Sequence, residues 1–306
     1  MLFRKAEKRK AKLRLAITGI AGSGKTYGAL LIAQGLGGKI AMIDTENGSG
    51  DLYADVCDYD VCVMNAPYTI EKYLEAIKDA EQCGYDVIII DSLSHAWAGE
   101  GGLLDRQGHI TDANPRMNSF AAWRQITPLH NKLIETILSS PAHIIATMRS
   151  KTDYVLVENE RGKSEPRKVG LAPVQRDGME YEFTTVFDLS ANHTVNVSKD
   201  RTNLFDGQYF VISKDTGKIL KEWLDTGIDA AERKNKIRQI WEDFLNDHSG
   251  NKELAMQAIK TLVGDKSSSS WTEDDIIILT KTHNAKKHTE ELEQETQVTT
   301  PEEMTA

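Results

Sequence analysis

The chain has 306 residues, 40% of them hydrophobic and 27% charged, with a formal net charge of −9. That length buries one substantial core with an appendage, and the absence of any apolar run of about eighteen residues excludes a membrane-spanning helix, so no membrane partner is expected. Cys57, Cys62 and Cys83 form an odd set without metal-ligand spacing and read as reduced thiols of a reducing compartment, here the cytoplasm.

The chain opens on charge with no apolar stretch or small-residue cleavage site, so it does not read as a signal peptide. Arg4, Lys5, Lys8, Arg9, Lys10, Lys12 and Arg14 stand against one acid, Glu7, over residues 1–14. This is a basic arm, fit either to be solvated or to meet a polyanion. Leu13–Thr18 is a short apolar run ending in a glycine-rich turn, and Thr26–Leu36 follows with helical spacing. Lys39–Asp44 reads as a strand and Ile70–Cys83 as an amphipathic helix. Asp86–Asp91 is apolar between its two acids, the mark of a strand buried on both faces of a parallel sheet. Phe120–Leu138 is a long helix in which Pro128 is expected to end or kink the first part, and Ala142–Met148 is another buried strand. This alternation predicts an α/β fold, a mostly parallel sheet with helices on both faces.

The pattern then changes. Lys151–Asp177 is polar and punctuated by glycine and proline, as in a long loop or a hairpin excursion. Tyr181–Leu189, Thr194–Ser198 and Gln208–Ser213 read as an antiparallel extension of the sheet. Ala230–Asn246 and Lys252–Val263 have helical spacing, Lys266–Ser270 resembles a linker, and Thr272 with Asp275 forms a capping signal for a last helix. The acidic stretch beyond His288 is expected to lack structure. The expected domains are therefore an arm over 1–14, an α/β core over 15–226, a small helical region over 227–288 and an acidic tail over 289–306.

Gly19-Ile-Ala-Gly-Ser-Gly-Lys-Thr26 fits the phosphate-loop pattern at every fixed position, after a predicted strand and before a predicted helix. Gly19, Ala21, Gly22, Ser23, Gly24, Lys25, Thr26 and Tyr27 form the expected nucleotide-binding run. The glycines let backbone N–H groups ring a phosphate at the positive end of the helix. Lys25 is suited to the β- and γ-phosphates and the Thr26 hydroxyl to Mg²⁺, so ATP and Mg²⁺ are the expected cofactors. Asp91 closes its apolar strand as a metal-holding carboxylate does, or as a turn residue. Asp44 and Glu46 end the second strand, pointing the same way by alternation; they suit metal or water positioning, or are plain acidic loop residues.

Taken together these segments resemble the RecA family. Ala41–Glu46 is similar to the family's segment ending in its catalytic glutamate, which implies that role for Glu46. Tyr53 lies at the offset of an adenine-stacking tyrosine, and Val87–Ser92 resembles the Walker B strand, which gives Asp91 to Mg²⁺. Ile144–Arg149 stands where the family has a γ-phosphate-sensing strand, with Thr147 or Met148 near the place of its usual glutamine. Lys199 and Arg201, two apart at a strand end, match paired cations that reach the γ-phosphate of a neighbouring subunit. The resemblance implies a RecA-like P-loop core, an ATPase that is slow or stimulated by DNA, and a homo-oligomer, ring or filament, with sites at subunit interfaces.

Within the superfamily the chain looks similar to phage-encoded ATP-binding and single-strand annealing proteins. That likeness implies single-stranded DNA as a non-specific partner, a single-strand DNA-binding protein as a further one, and the bacterial host cytoplasm as the location. Two segments are then expected to face DNA: Gly99–Asn118 with Arg106, His109 and Arg116, and Lys151–Asp177 with Lys151, Arg161, Lys163, Arg167, Lys168, Arg176 and Tyr154. Over 150–182 seven acids outnumber six bases, so charge alone reads the second as a solvated loop. A nucleotide-gated loading or assembly factor is the alternative, and a small-molecule kinase a third.

Overall fold

The computed structural model describes residues 6–114, 116, 118–158 and 164–298. Contacts divide the chain into two units, Ala11–Asp225 and Met1–Lys10 with Thr226–Ala306.

The first unit is built on β1 (Arg14–Gly19), β2 (Ile40–Asp44), β3 (Asp60–Val63), β4 (Val87–Asp91), β5 (His143–Glu158), β6 (Ser164–Pro173), β7 (Thr185–Leu189), β8 (Thr194–Asp200) and β9 (Tyr209–Val211). Its helices are α1 (Lys25–Leu36), α2 (Ile70–Gln82), α3 (Ser94–Ala98), α4 (Leu103–Ala113), α5 (Ser119–Ser139) and α6 (Lys214–Asp225). The strand order is β3-β2-β4-β5-β1-β7-β8-β9, with β6 paired to β5 off that path. The pairings from β3 through β7 are parallel, and β8 and β9 extend the sheet antiparallel.

Every residue of β1, β2 and β4 is buried, and alternation sends neighbours to opposite faces. Ile88 and Ile90 pack with Tyr73, Ile77, Leu103, Ile126 and Leu133 beneath α2, α4 and α5. Val87 and Ile89 pack with Leu30, Ala33, Leu36 and Leu220 of α1 and α6 on the other face. This is the mostly parallel, two-sided α/β sheet that the strand and helix alternation predicts, and its site-bearing edge is set by the C-terminal ends of β1, β2, β4 and β5.

In this unit three expectations are corrected. Pro128 does not end the long helix, because α5 runs through it and Ala122, Ile126, His130, Leu133 and Ile137 hold both halves to the core. Gly99–Asn118 is largely α4, not a loop: Gly99, Gly101 and Gly102 form the turn that precedes a helix buried through Leu103. Arg14, counted with the basic arm, is 6% exposed at the start of β1. Its guanidinium donates to the carbonyls of Leu13 and Ala142, both at 2.8 Å, of Leu138 at 3.1 Å, and of Ser140.

The second unit holds α7 (Ala230–Asp247), α8 (Lys252–Val263) and α9 (Glu273–Val298) around Trp271, which is 1% exposed beside Ile240, Phe244, Ile259 and Leu279. Asp229 and Asn251 cap the first two helices. Thr272 and Asp275 cap the third reciprocally, at 2.7 and 3.2 Å. The N-terminal residues belong to this unit: Lys8 and Lys10 exchange backbone hydrogen bonds with Ile228, and Glu7 pairs with Arg233. α9 continues to Val298, so residues 289–298 are helical where the sequence reading has an unstructured tail. Glutamate, glutamine and leucine are strong helix formers, and they extend a helix already nucleated by its cap.

Candidate functional site

The phosphate loop begins where β1 ends. A Cβ on Gly19 would strike the Ser23 hydroxyl and lie 2.8 Å from the Leu189 carbonyl oxygen, so the strand end closes only on glycine. Gly24 carries φ 89°, and a Cβ there would lie 3.2 Å from His193 Nδ1. α1 starts at the next residue, which brings the first-turn N–H groups to the loop. Ala21 and Gly22 are exposed on the loop and Ser23 is buried beneath it, its hydroxyl without a hydrogen-bond partner among the described residues. Lys25 Nζ donates to the Ile20 carbonyl at 2.8 Å. Burial lowers its pKa, against the raising influence of Asp91 and Glu46.

Asp91 sits on β4 beside Asp44 of β2 and is 2% exposed. Thr26 Oγ1 donates to its Oδ2 at 2.6 Å, and Thr147 of β5 donates to Oδ1. Burial pushes this carboxyl's pKa up even though both hydroxyls favour the charged form. A hydroxyl and a carboxylate converging at the foot of a phosphate loop are hard oxygen donors, the set that suits Mg²⁺. Met148, the other candidate for the sensing position, is fully buried in the apolar core.

Asp44 and Glu46 do not share a task. Asp44 is fully buried, and its two oxygens accept the backbone N–H groups of Glu46 at 2.6 Å and Gly50 at 2.9 Å. It shapes the turn that carries Glu46 and is fully engaged in doing so. Glu46 accepts from Ser92 Oγ and from Arg149 Nε, each at 3.0 Å, and pairs through its second oxygen with Arg149 Nη2. Burial would raise its pKa, but the Arg149 hydrogen bonds and charge, with Ser92, outweigh that and hold it below the usual carboxylate range. Arg149 lies 103 residues from its partner in sequence; sequence reasoning missed it, and its place at the end of an apolar strand leading from the phosphate edge was the available signal.

Beside the loop lies a cleft of 420 Å³ lined by Gly22, Ser23, Gly24, Tyr27, Gly28, Tyr53, Leu189, His193, Val211 and Ile212. The Tyr27 and Tyr53 rings flank it 6.2 Å apart at 54°. His193 also went unrecognised in the sequence; its Nδ1 lies 3.0 Å from the Ser23 carbonyl, which ties the β7–β8 turn to the loop.

Lys199 and Arg201 come together as expected for residues two apart. Lys199 Nζ donates to the carbonyls of Glu180, at 3.2 Å, and Tyr181, and Arg201 Nη2 donates to the same Tyr181 carbonyl at 3.0 Å. Lys199 pairs with Val186 near the start of β7, whereas Gly19 of the phosphate loop pairs with Leu189 at its end. The two cations therefore stand at the other end of these strands from their own chain's phosphate loop.

Of the residues expected to face DNA, Arg106 is paired with Glu71 at 3.0 Å and His109 lies 3.4 Å from Asp105. Arg116 and Lys151 are exposed, and the Arg176 guanidinium lies 6.0 Å from the Trp123 ring centre. Lys151–Asp177 contains the β5–β6 hairpin. Arg161 and Lys163, and the side chains of Tyr154, Arg167 and Lys168, lie outside the described residues. No described helix is long and apolar enough to cross a membrane.

A family model described as an AAA domain matches residues 11–255. Among solved structures, the RadB recombinase is similar over 68% of this chain and 90% of its own, at 15% identity and a TM-score of 0.34. A prototypical ATPase from the type III secretion system of pathogenic bacteria is similar over 88% of this chain and 80% of its own, at 13% identity and a TM-score of 0.37. No curated protein matches.

Proposed function

The chain belongs to the AAA domain family, and from that premise we propose that it is a Mg²⁺-dependent ATPase that assembles on single-stranded DNA and promotes strand annealing or recombination. The observation that carries the ATPase is the convergence of Lys25, Thr26, Asp91 and Glu46 at one sheet edge, through the 2.6 Å Thr26–Asp91 hydrogen bond and the Ser92 contact to Glu46. In this reading the loop N–H groups and Lys25 hold the phosphates, and Tyr27 and Tyr53 flank the base. Thr26 holds Mg²⁺ with Asp91 behind it, and the metal, when bound, offsets phosphate charge. Glu46 takes a proton from water as the water oxygen bonds to the γ-phosphorus and the bond to the bridging oxygen breaks, which releases ADP and phosphate.

Lys199 and Arg201 stand where they cannot serve their own loop, and that placement favours their service to a neighbouring subunit in a ring or filament. DNA would run along the β5–β6 hairpin, in the cytoplasm of a bacterial host if the chain is phage-encoded, with a single-strand DNA-binding protein as a further partner. The second reading is a partner-gated loading factor. The ion pairing of Arg106 and the net charge of −9 favour it, because both reduce the cation supply for phosphates.

ATP hydrolysis with and without single-stranded DNA, with sedimentation recorded alongside, separates the two. Stimulation with large assemblies supports the DNA reading, and turnover indifferent to DNA transfers the function to a protein partner. Lys25→Ala is expected to lose nucleotide binding by about 100-fold, read by fluorescent-nucleotide titration. Unchanged binding would remove the phosphate-site assignment.

A further inference from the structure

Arg149 occupies a junction. It is the last residue of β5 to pair with β1, opposite Gly19 where the phosphate loop begins, and the next residue, Ser150, opens the hairpin ladder opposite Pro173. Its backbone is held from both sides: its N–H donates to Ser94 Oγ at 2.9 Å, and its carbonyl accepts from Val174 N–H at 2.6 Å as the hairpin returns. Gln175, the next residue, is 5% exposed and donates to the Leu93 carbonyl at 3.1 Å, just past Asp91. The root of the hairpin is thus fastened to the segment that follows the metal carboxylate.

The side chain of Arg149 leaves this junction to form a two-pronged pair with Glu46. The pair is partly exposed, at 48% for Arg149 and 24% for Glu46, so it can be exchanged without opening the core. A guanidinium fork binds both carboxylate oxygens at once, leaving Glu46 less able to turn toward a water or accept its proton. The other charged groups that act on Glu46 or share its pocket are His95, Lys25 and Asp91; among the charged groups of the described residues, Arg149 is the one hydrogen-bonded to its carboxylate.

We propose that Arg149 is a positioning residue that restrains hydrolysis by holding Glu46, and that a shift of the β5–β6 hairpin root withdraws it. This rests on the reading of Glu46 as the water-activating carboxylate. It gives the hairpin a mechanical route to the nucleotide: whatever the hairpin binds moves the residue that occupies the catalytic group. The restraint explains how such a chain would hydrolyse little ATP alone and more when assembled.

The test is steady-state hydrolysis by the full chain carrying Arg149→Gln, Arg149→Lys, Glu46→Gln and the Arg149→Gln/Glu46→Gln pair. Arg149→Gln should raise the basal kcat about tenfold with KM changed less than about twofold, and should shrink the further stimulation by hairpin ligands. Arg149→Lys, which keeps the charge and loses the fork, should fall between. In the Glu46→Gln background the Arg149 change should do nothing, because its effect runs through that carboxylate. A kcat that falls, stays level, or rises equally without Glu46 would overturn the proposal, as would a wild type and an Arg149→Gln variant that are both inactive. Single-stranded DNA is added to the wild type in the same series: failure to stimulate rejects the DNA reading, while the basal comparison still decides the role of Arg149.

Discussion

The two ends of the parallel sheet are built from similar residue types put to different uses. At the C-terminal end Asp44, Glu46, Asp91, Thr147 and Arg149 gather around the phosphate loop, and Glu46 and Arg149 keep their side chains within reach of solvent. At the N-terminal end Arg14 and His143 are spent on backbone groups. Arg14 closes the carbonyls of α5's last turn and of the turn that leads into β5, and His143 Nδ1 accepts the Leu13 N–H at 3.0 Å. Lys199 and Arg201, joined to the Tyr181 carbonyl near the start of β7, share that end. A buried polar residue used on the backbone, as Arg14 is, supplies stability; one that is partly exposed, as Arg149, Lys199 and Arg201 are, can be released for chemistry.

Glu46→Gln should give the largest effect and tests the C-terminal end directly. The amide cannot take a proton from water, so kcat should fall about 1000-fold while fluorescent-nucleotide affinity is retained. An equal loss of binding would make Glu46 a structural residue and erase the contrast with Asp44. Arg14→Ala tests the other end. It removes the guanidinium from the Leu138, Ser140 and Ala142 carbonyls, while the Leu13 carbonyl keeps the Ile144 N–H at 2.9 Å, and should cost about 3 kcal/mol in chemical denaturation. Nucleotide affinity below the unfolding transition should stay the same. A loss of affinity there would mean that the two ends do not separate stability from function.

The local part of this division was legible in the sequence. The phosphate loop, the apolar strand ending in Asp91 and the turn carrying Glu46 are contiguous patterns whose chemistry is fixed by spacing, and the strand alternation follows from the same apolar runs. What was not legible depends on contact between distant segments. Arg149 gains its role from Glu46 and Arg14 from the end of α5, while His193 gains its role from the curl of the loop at Ser23. The Gly99–Gly102 turn drew attention away from the α4 helix that follows, and Asp44 could not be told from Glu46 until the backbone N–H groups of its own turn came into place.

The smallest predicted effect is a pH dependence at the N-terminal end. Burial, with the positive charges of Lys12, Arg14 and Lys221 against Asp225, pushes the His143 pKa down to about 4, from about 6.5 in an unfolded chain. Between these values the unfolded chain binds the extra proton and the native chain does not, so stability is complete above about pH 6.5 and falls as pH drops toward 4. Protonation also removes the acceptor for the Leu13 N–H. The cost should be about 2 kcal/mol by pH 4.5, after allowance for partial exposure. His143→Asn keeps an acceptor near Nδ1 and removes the titration, so its denaturation midpoint should lose less than the wild type's between pH 7 and 4.5. Carboxylates titrate alike in both chains and cancel in the difference. Parallel losses would show that His143 is already solvated and that the N-terminal end is looser than its hydrogen bonds imply. A flatter profile for the variant would set the buried imidazole beside Arg14 as a group whose charge state serves the fold alone.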